Sequence, residues 1–322
     1  MKVLFITGPR FTGANQGSPT AVRVETYKSC APIAPSRVDA IMISSPSRRT
    51  VGVRSLATTL SSFTRMGGPN EPFAVDLKGM LEVLAAPLRQ RGVDVATETD
   101  SADPLDVALL DRVKRTSAEL VVKDTHHHTL AHRTFLTNTD WELIRGCPVP
   151  LLLVKPGSWA SSPRVVAAID PGHANDKPAM LDHCILEHAA AFARKLHGEL
   201  HALHAYIPAA ILAAAASMPP MGMAVSAEEL AREEESKRRV IAALVSDYNV
   251  RIQNIHMSTG GTAEVLPREA EAIKADIMVL GAISRSGLKR AFIGSTAEDV
   301  LEKLPCDALV IKTPNFAELL PF

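Results

Sequence analysis

The chain has 322 residues, 46% hydrophobic and 22% charged, with 35 basic side chains balancing 35 acidic ones. A formally neutral chain has no net field to hold a polyanion, which excludes nucleic-acid binding by bulk electrostatics. The four cysteines (Cys30, Cys147, Cys184, Cys306) lie far apart and form no CxxC pair, so reduced, buried thiols are expected rather than a disulfide framework.

The opening apolar run Met1–Ile6 is too short for a signal peptide, and no later apolar stretch is long enough to span a bilayer. A soluble, cytoplasmic protein is the expectation. The length is about twice that of a common domain, which predicts two of them.

In chain order, Val3–Ile6 reads as a first strand. Residues 8–36 should carry the first helix but contain Pro9, Gly13, Gly17, Pro19, Pro32 and Pro35, which leaves room for helix only over 21–30. Ala40–Ile43, closed by Pro46, reads as a strand, and 46–72 as loop. Helices are predicted near 77–91 and 104–117. Leu120–Val122 before Lys123 and the segment ending at Val154-Lys155 read as the last two strands of this half. Residues 157–163, rich in Pro, Gly and Ser, form a linker.

The second half repeats the order. Val165–Ile169 is a strand ending at Asp170-Pro171-Gly172. A helix follows over 178–196, with Gly198 as its C-cap. Leu200–Tyr206 is a strand on which His201 and His204 face opposite sides; packing suits both, and either could line a cleft. Ala209–Ala216 is apolar throughout, a short packed helix, a lid or hydrophobic surface over the cleft, or a partner contact. Ser226 and Glu229 form a capping box that opens a helix to about Asp247, whose Glu233–Glu235 and Lys237–Arg239 pair at i,i+4. Val250–His256 alternates as a strand should. A helix near 262–274, the apolar strand Ile277–Leu280, a helix near 296–304 and the strand Ala308–Ile311 complete the half.

Strands alternating with helices imply right-handed βαβ units, and the uninterrupted apolar runs near 165, 277 and 308 suit strands covered on both faces. The fold class is α/β, a doubly wound parallel sheet in each half. The correspondence of Leu120–Lys123 with Val279–Gly281, and of Val154-Lys155 with Ile311-Lys312, marks an internal duplication.

The segment most informative about chemistry is 281–296. It leaves a buried strand through Gly281, runs through Ser284, Arg285, Gly287, Lys289 and Arg290, and enters a helix at Gly294-Ser295-Thr296. Close backbone approach, N–H donors and a helix N-terminus are what a phosphate requires. A plain strand–helix connection that needs glycine for its turns explains the same residues. No Walker A or GxGxxG motif occurs, and no catalytic triad can be assembled. The run His126-His127-His128, with Asp124, invites a metal reading (zinc, through Asp124, His126 and His128). Adjacent histidines diverge, however, so a polar loop is the default.

The 281–296 segment resembles the nucleotide loop of the universal stress protein family: Gly-x-x-Gly, nine residues, then Gly-Ser/Thr. Gly281, Gly294 and Ser295 match, and Ser284 stands at the second glycine with Gly287 three places on. The resemblance covers the second half and the first from about residue 77, and it is to the tandem, two-domain type. It implies adenine-nucleotide-alpha-hydrolase-like domains at 1–156 and 164–315. It also implies ATP or a related adenine nucleotide in the second, with or without Mg, placing Asp170 and Ala205 on the adenosine side. The first domain lacks the glycine loop, and Lys123 at the position of Gly281 would crowd a nucleotide.

A nucleotide-linked switch in stress tolerance, including resistance to DNA damage, is the implied role. A nucleotide-independent interaction module and a weak ATP phosphohydrolase with a metal beside Asp170 are the alternatives, and no dedicated enzyme is expected. Pairing of the two halves through 150–155 and 308–312 into a pseudo-dimer, with or without homodimerisation, is also implied.

Overall fold

The computed structural model describes residues 3–7, 39–44, 62–63, 77–90, 93–100, 105–128, 133–136, 138–155, 158–171, 180–216, 226–282 and 295–312. Two compact units emerge, Met1–His127 with Phe135–Ser158, and His128–Thr134 with Trp159–Phe322.

The first unit begins with β1 (Val3–Thr7), β2 (Asp39–Ser44), the two-residue β3 (Ser62–Phe63) and α1 (Leu77–Gln90). It continues with β4 (Asp94–Thr97), β5 (Thr99–Asp100), α2 (Leu105–Thr116) and β6 (Leu120–Asp124). Next in chain order are the short strands β7 (His126–His128) and β8 (Arg133–Phe135), which fall partly in the second unit, and then, in the first, α3 (Asn138–Gly146) and β9 (Leu151–Val154). The five main strands are parallel in the order β4-β2-β1-β6-β9. The stretch 46–72, expected to be all loop, contains β3, which pairs with β5. The helix expected over 21–30 lies outside the described residues.

The second unit consists of β10 (Arg164–Ala168), α4 (Leu181–Lys195), β11 (Glu199–Tyr206), α5 (Ala209–Ala216), α6 (Ala227–Val245), β12 (Ile255–Thr259), α7 (Thr262–Ile273), β13 (Ile277–Gly281), α8 (Ser295–Lys303) and β14 (Asp307–Ile311). Its strands are parallel in the order β12-β11-β10-β13-β14. Each strand of this order has its counterpart, in the same sequential place, in the first unit. The repeat legible in the sequence is therefore a repeat of topology.

The apolar runs form the core because the crossovers cover both faces of the sheet. Val165, Val166 and Ala167 of β10, and Ile277, Met278 and Val279 of β13, are each 0% exposed. Helix α4 packs on β10 and β13, and α7 on β11 and on α8. In the first unit Leu109, Val121, Leu143 and Leu151 are buried. Cys147, Cys184 and Cys306 are buried free thiols.

Two local expectations change. Gly198 is not the left-handed cap of α4: His197 adopts that conformation with φ 51°. The N–H of His197 reaches Arg194 O, and that of Gly198 reaches Ala193 O, a Schellman arrangement with histidine at C′. Gly198 is required for another reason, since a Cβ there would stand 2.1 Å from the Pro163 carbonyl oxygen. The second change concerns 250–256, where a 3₁₀ turn over Ile252–Asn254 replaces the start of the expected strand. Asn254 is buried because its side-chain amide donates to Leu200 O at 3.0 Å, which fixes the turn against β11.

Trp159 and Ala160 tie the described part of the linker to the second unit. Trp159 Nε1 donates to Asp307 Oδ2 (2.8 Å), and Asp276 accepts from the amides of Ala160 (2.8 Å) and Arg164 (2.9 Å). These contacts gather the amino-terminal ends of β10, β13 and β14.

Candidate functional site

In the second unit the strand order reverses direction between β10 and β13. Open parallel sheets bind ligands beyond the carboxyl ends of the strands at such a switch point. Asp170 lies just past β10, and Gly281 ends β13.

The chain leaving β10 is held unusually firmly. Ile169 N–H still donates to Leu203 O at 3.0 Å, as a parallel ladder requires. The next ladder position is taken over by a side chain, with His204 Nδ1–H donating to the Ile169 carbonyl at 3.1 Å. On the other side of the same peptide, Asp170 N–H donates to Asp182 Oδ1 at 3.1 Å, from the first turn of α4. His204 is 3% exposed and Asp182 8%. Burial lowers the His204 pKa, against the hydrogen bond to Ile169 and the charge of Asp170. The Asp170 carboxylate is 41% exposed and its Oδ1 lies 3.8 Å from His204 Nδ1.

Ala205, half-buried, sits beside this point on β11. The next residue, Tyr206, stacks on His204 at 5.7 Å between centroids, and Lys237 Nζ of α6 lies 5.2 Å from the Tyr206 ring. Burial, and then Glu234 and Glu233, raise the Tyr206 phenol pKa. Beyond β11, the Glu233 carboxylate accepts from Ala209 N–H (3.0 and 3.1 Å) and so caps α5. The apolar Ala209–Ala216 run is helical as expected, with Ile211 and Leu212 about half exposed. The Ser226–Glu229 capping box forms with both of its arms.

On β13, a Cβ at Gly281 would meet Leu181 Cδ2 at 2.7 Å and Ile185 Cδ1 at 3.0 Å. This glycine lets α4 close on the strand end, a packing role that the sequence reading did not anticipate. Thr296 is exposed in the first turn of α8, and Ser295 opens that helix. The connection 283–294, with Ser284, Arg285, Gly287 and Gly294, lies outside the described residues, as does the Ser295 side chain.

His201, on the opposite face from His204, is buried against β12, its Nδ1 3.0 Å from His256 Nε2. Burial lowers both pKa values, and the mutual charge lowers that of His201 further. Sequence spacing could not pair them, because the pairing depends on the register of β11 with β12.

In the first unit the corresponding strand end carries Lys123. Its ammonium is buried, 2.6 Å from Asp140 Oδ1 in α3, and donates to Asp124 O at 3.0 Å. Asp140 is 0% exposed. The side chains of His126 and His128 lie outside the described residues. Among the described residues no group of three or more His, Cys, Asp and Glu is placed to hold a metal ion, and no helix is long and apolar enough to cross a membrane.

Comparison with known proteins agrees with this architecture. A 214-residue stretch is 30% identical to universal stress protein E of Salmonella typhi, and it spans 66% of this chain and 66% of that relative. A solved structure of a functionally unknown protein, PA1789 of Pseudomonas aeruginosa PAO1, superposes with TM-score 0.63 at 25% identity, covering 82% of this chain and 85% of that one. Another, described as a universal stress protein of Pseudomonas aeruginosa UCBPP-PA14, has the same fold with TM-score 0.66 at 21% identity over 99% of this chain and 95% of that one. The family model matches twice, over residues 56–155 and 164–312. The chain thus belongs to the universal stress protein family, with two such domains in tandem.

Proposed function

We propose that the second unit binds ATP or a related adenine nucleotide at the carboxyl ends of β10 and β13 and acts as a nucleotide-linked switch in stress tolerance. The observation that carries this is the placement of Asp170, a half-exposed carboxylate fixed at the switch point of a doubly wound sheet. Across from it, β13 leads through the glycine-containing segment into α8, whose N-terminal amides and dipole favour an anion. Asp170 and Ala205 take the adenosine side. Gly281, Ser284, Arg285, Gly287, Gly294, Ser295 and Thr296 take the phosphates, with Mg²⁺ as companion ion where a triphosphate binds. In this reading the first unit takes no nucleotide, because Lys123 and Asp140 occupy the equivalent strand and helix ends with each other.

The test is equilibrium binding of ATP to the full chain, compared with Asp170→Ala and Gly294→Asp variants. Micromolar binding by the wild type, lost in both variants, supports the proposal. Equal affinity in all three, or none in any, defeats it.

One observation favours a second reading. Gly281 is demanded by Leu181 and Ile185, so this motif residue is accounted for without a phosphate. A nucleotide-independent interaction module would keep it for packing alone. Phosphate release with and without Mg²⁺ separates a switch from a weak phosphohydrolase.

A further inference from the structure

The peptide unit joining Ile169 to Asp170 has both of its polar groups taken by buried side chains from other elements. Its carbonyl accepts from His204 Nδ1–H of β11 at 3.1 Å, and its N–H donates to Asp182 Oδ1 of α4 at 3.1 Å. His204 and Asp182 are each more than nine-tenths buried. Burying an imidazole and a carboxylate is costly, and for the fold alone a backbone donor and a capping water would serve the same peptide. The first residue beyond this clamp is Asp170, whose side chain is 41% exposed at the switch point with Oδ1 turned inward, 3.8 Å from His204 Nδ1.

The geometry points to His204 and Asp182 as positioning residues: together they fix the Ile169–Asp170 peptide plane and so aim the Asp170 carboxylate at the nucleoside part of a ligand bound beyond β10. This rests on the adenine-nucleotide reading above. Neither residue needs to touch the ligand. A peptide plane gripped on both edges cannot turn without breaking two hydrogen bonds, so the N–Cα bond of Asp170, from which its side chain springs, is set before the ligand arrives. Preorganisation of this kind raises affinity by removing an ordering cost at the moment of binding. The histidine tautomer follows from the same geometry, because a carbonyl only accepts and Nδ1 must carry the proton.

The experiment compares ATP with inorganic tripolyphosphate, which lacks base and sugar, on the full chain. His204→Leu and Asp182→Ala remove one grip each. His204→Asn and Asp182→Asn retain a donor and an acceptor at the same places. The expected result is a loss of about tenfold in ATP affinity for the first pair, the scale of one hydrogen bond. Tripolyphosphate affinity should stay within about twofold, and the asparagine variants should recover most of the ATP affinity. A parallel fall for both ligands, or no change in either, overturns the inference.

Should the leucine and alanine variants fail to fold, hydrogen exchange in the wild type decides. The clamp requires the Asp170 amide to be protected although it lies beyond the strand, and exchange at the rate of an open loop overturns it. If the wild type binds ATP and only Asp170→Ala loses it, the positioning role falls and the functional reading stands. If the wild type binds no ATP, both fall.

Discussion

Lys123 and Asp140 face each other inside the first unit with Nζ 2.6 Å from Oδ1, and they join the end of β6 to the first turn of α3. The matching places in the second unit are the end of β13 and the first turn of α8, where Gly281 and Ala297 stand. A glycine and an alanine cannot form the ion pair that joins strand to helix in the first unit.

Removing one partner breaks a buried ion pair, at a cost of about 3–5 kcal/mol. Lys123→Met and Asp140→Leu should each destabilise the first unit by that order, and the double variant by much less. The chain has two tryptophans. A Trp159→Phe background leaves Trp141, next to Asp140 in α3, as the sole reporter of urea unfolding. Additive losses in the double variant would show that the pair is not coupled.

Glycine requirements differ sharply between two positions. Gly198→Ala places a methyl 2.1 Å from the Pro163 carbonyl oxygen, a backbone atom that cannot swing away. We expect a loss of about 3 kcal/mol, at the upper end of overpacking penalties. Gly261→Ala meets nothing within 4 Å, and its effect should stay within about 0.5 kcal/mol. Thermal melts of the two variants that coincide would contradict this.

Three histidines of the second unit have pKa values lowered from the ordinary 6.5 by burial: His201, His204 and His256. In His201 the charge of His256 adds to the effect and Glu199 opposes it, while Glu269 opposes it in His256. The fold therefore prefers all three neutral, and the unfolded chain binds protons more readily below 6.5. Their stabilisation is complete above that value and is lost as pH falls through the lower, folded values. Melting temperature should drop between pH 7 and pH 5, with a shallower slope in His256→Asn. An identical slope would remove the pair as the cause.

Trp159 should report the base of the second sheet. Trp159→Phe keeps the aromatic packing but loses the hydrogen bond to the buried Asp307, a loss of about 1.5–3 kcal/mol for a bond to a charged acceptor. Asp307→Asn, which keeps an acceptor, should lose less. Equal losses would argue that packing rather than the hydrogen bond holds the indole.

Much of the architecture was legible because it rests on local pattern. Continuous apolar runs such as Val165–Ile169 and Ile277–Leu280 mark strands covered on both faces, and the Ser226–Glu229 box marks the start of α6 to the residue. What escaped depends on contacts distant in sequence. Asp182 lies within a helix and His204 within a strand, and nothing in their spacing shows that both reach one peptide. A histidine between the apolar Leu203 and Ala205 near the end of β11 was the one available signal. Lys123 stood out as a side chain that would crowd a nucleotide, but nothing in the sequence singled out Asp140 as its partner, 17 residues further along. Gly198 looked like a left-handed cap, whereas the approach of Pro163, from before β10, is what excludes a side chain there. The charge run of α6 forms its Glu–Lys and Glu–Arg pairs at i,i+4 as read, but not wholly on a solvated face, since the half-buried Glu233 caps α5 and the half-buried Lys237 lies over Tyr206.

The buried thiols have a practical corollary. Cys147 belongs to the first unit, Cys184 and Cys306 to the second, all three are buried, and burial also raises the Cys184 pKa and so suppresses its nucleophilic thiolate. Oxidants and alkylating reagents can then reach these sulfurs only through transient opening of the surrounding core. The protein carries its own internal clocks, one set per half, and the pace at which each sulfur is trapped measures how often that half breathes.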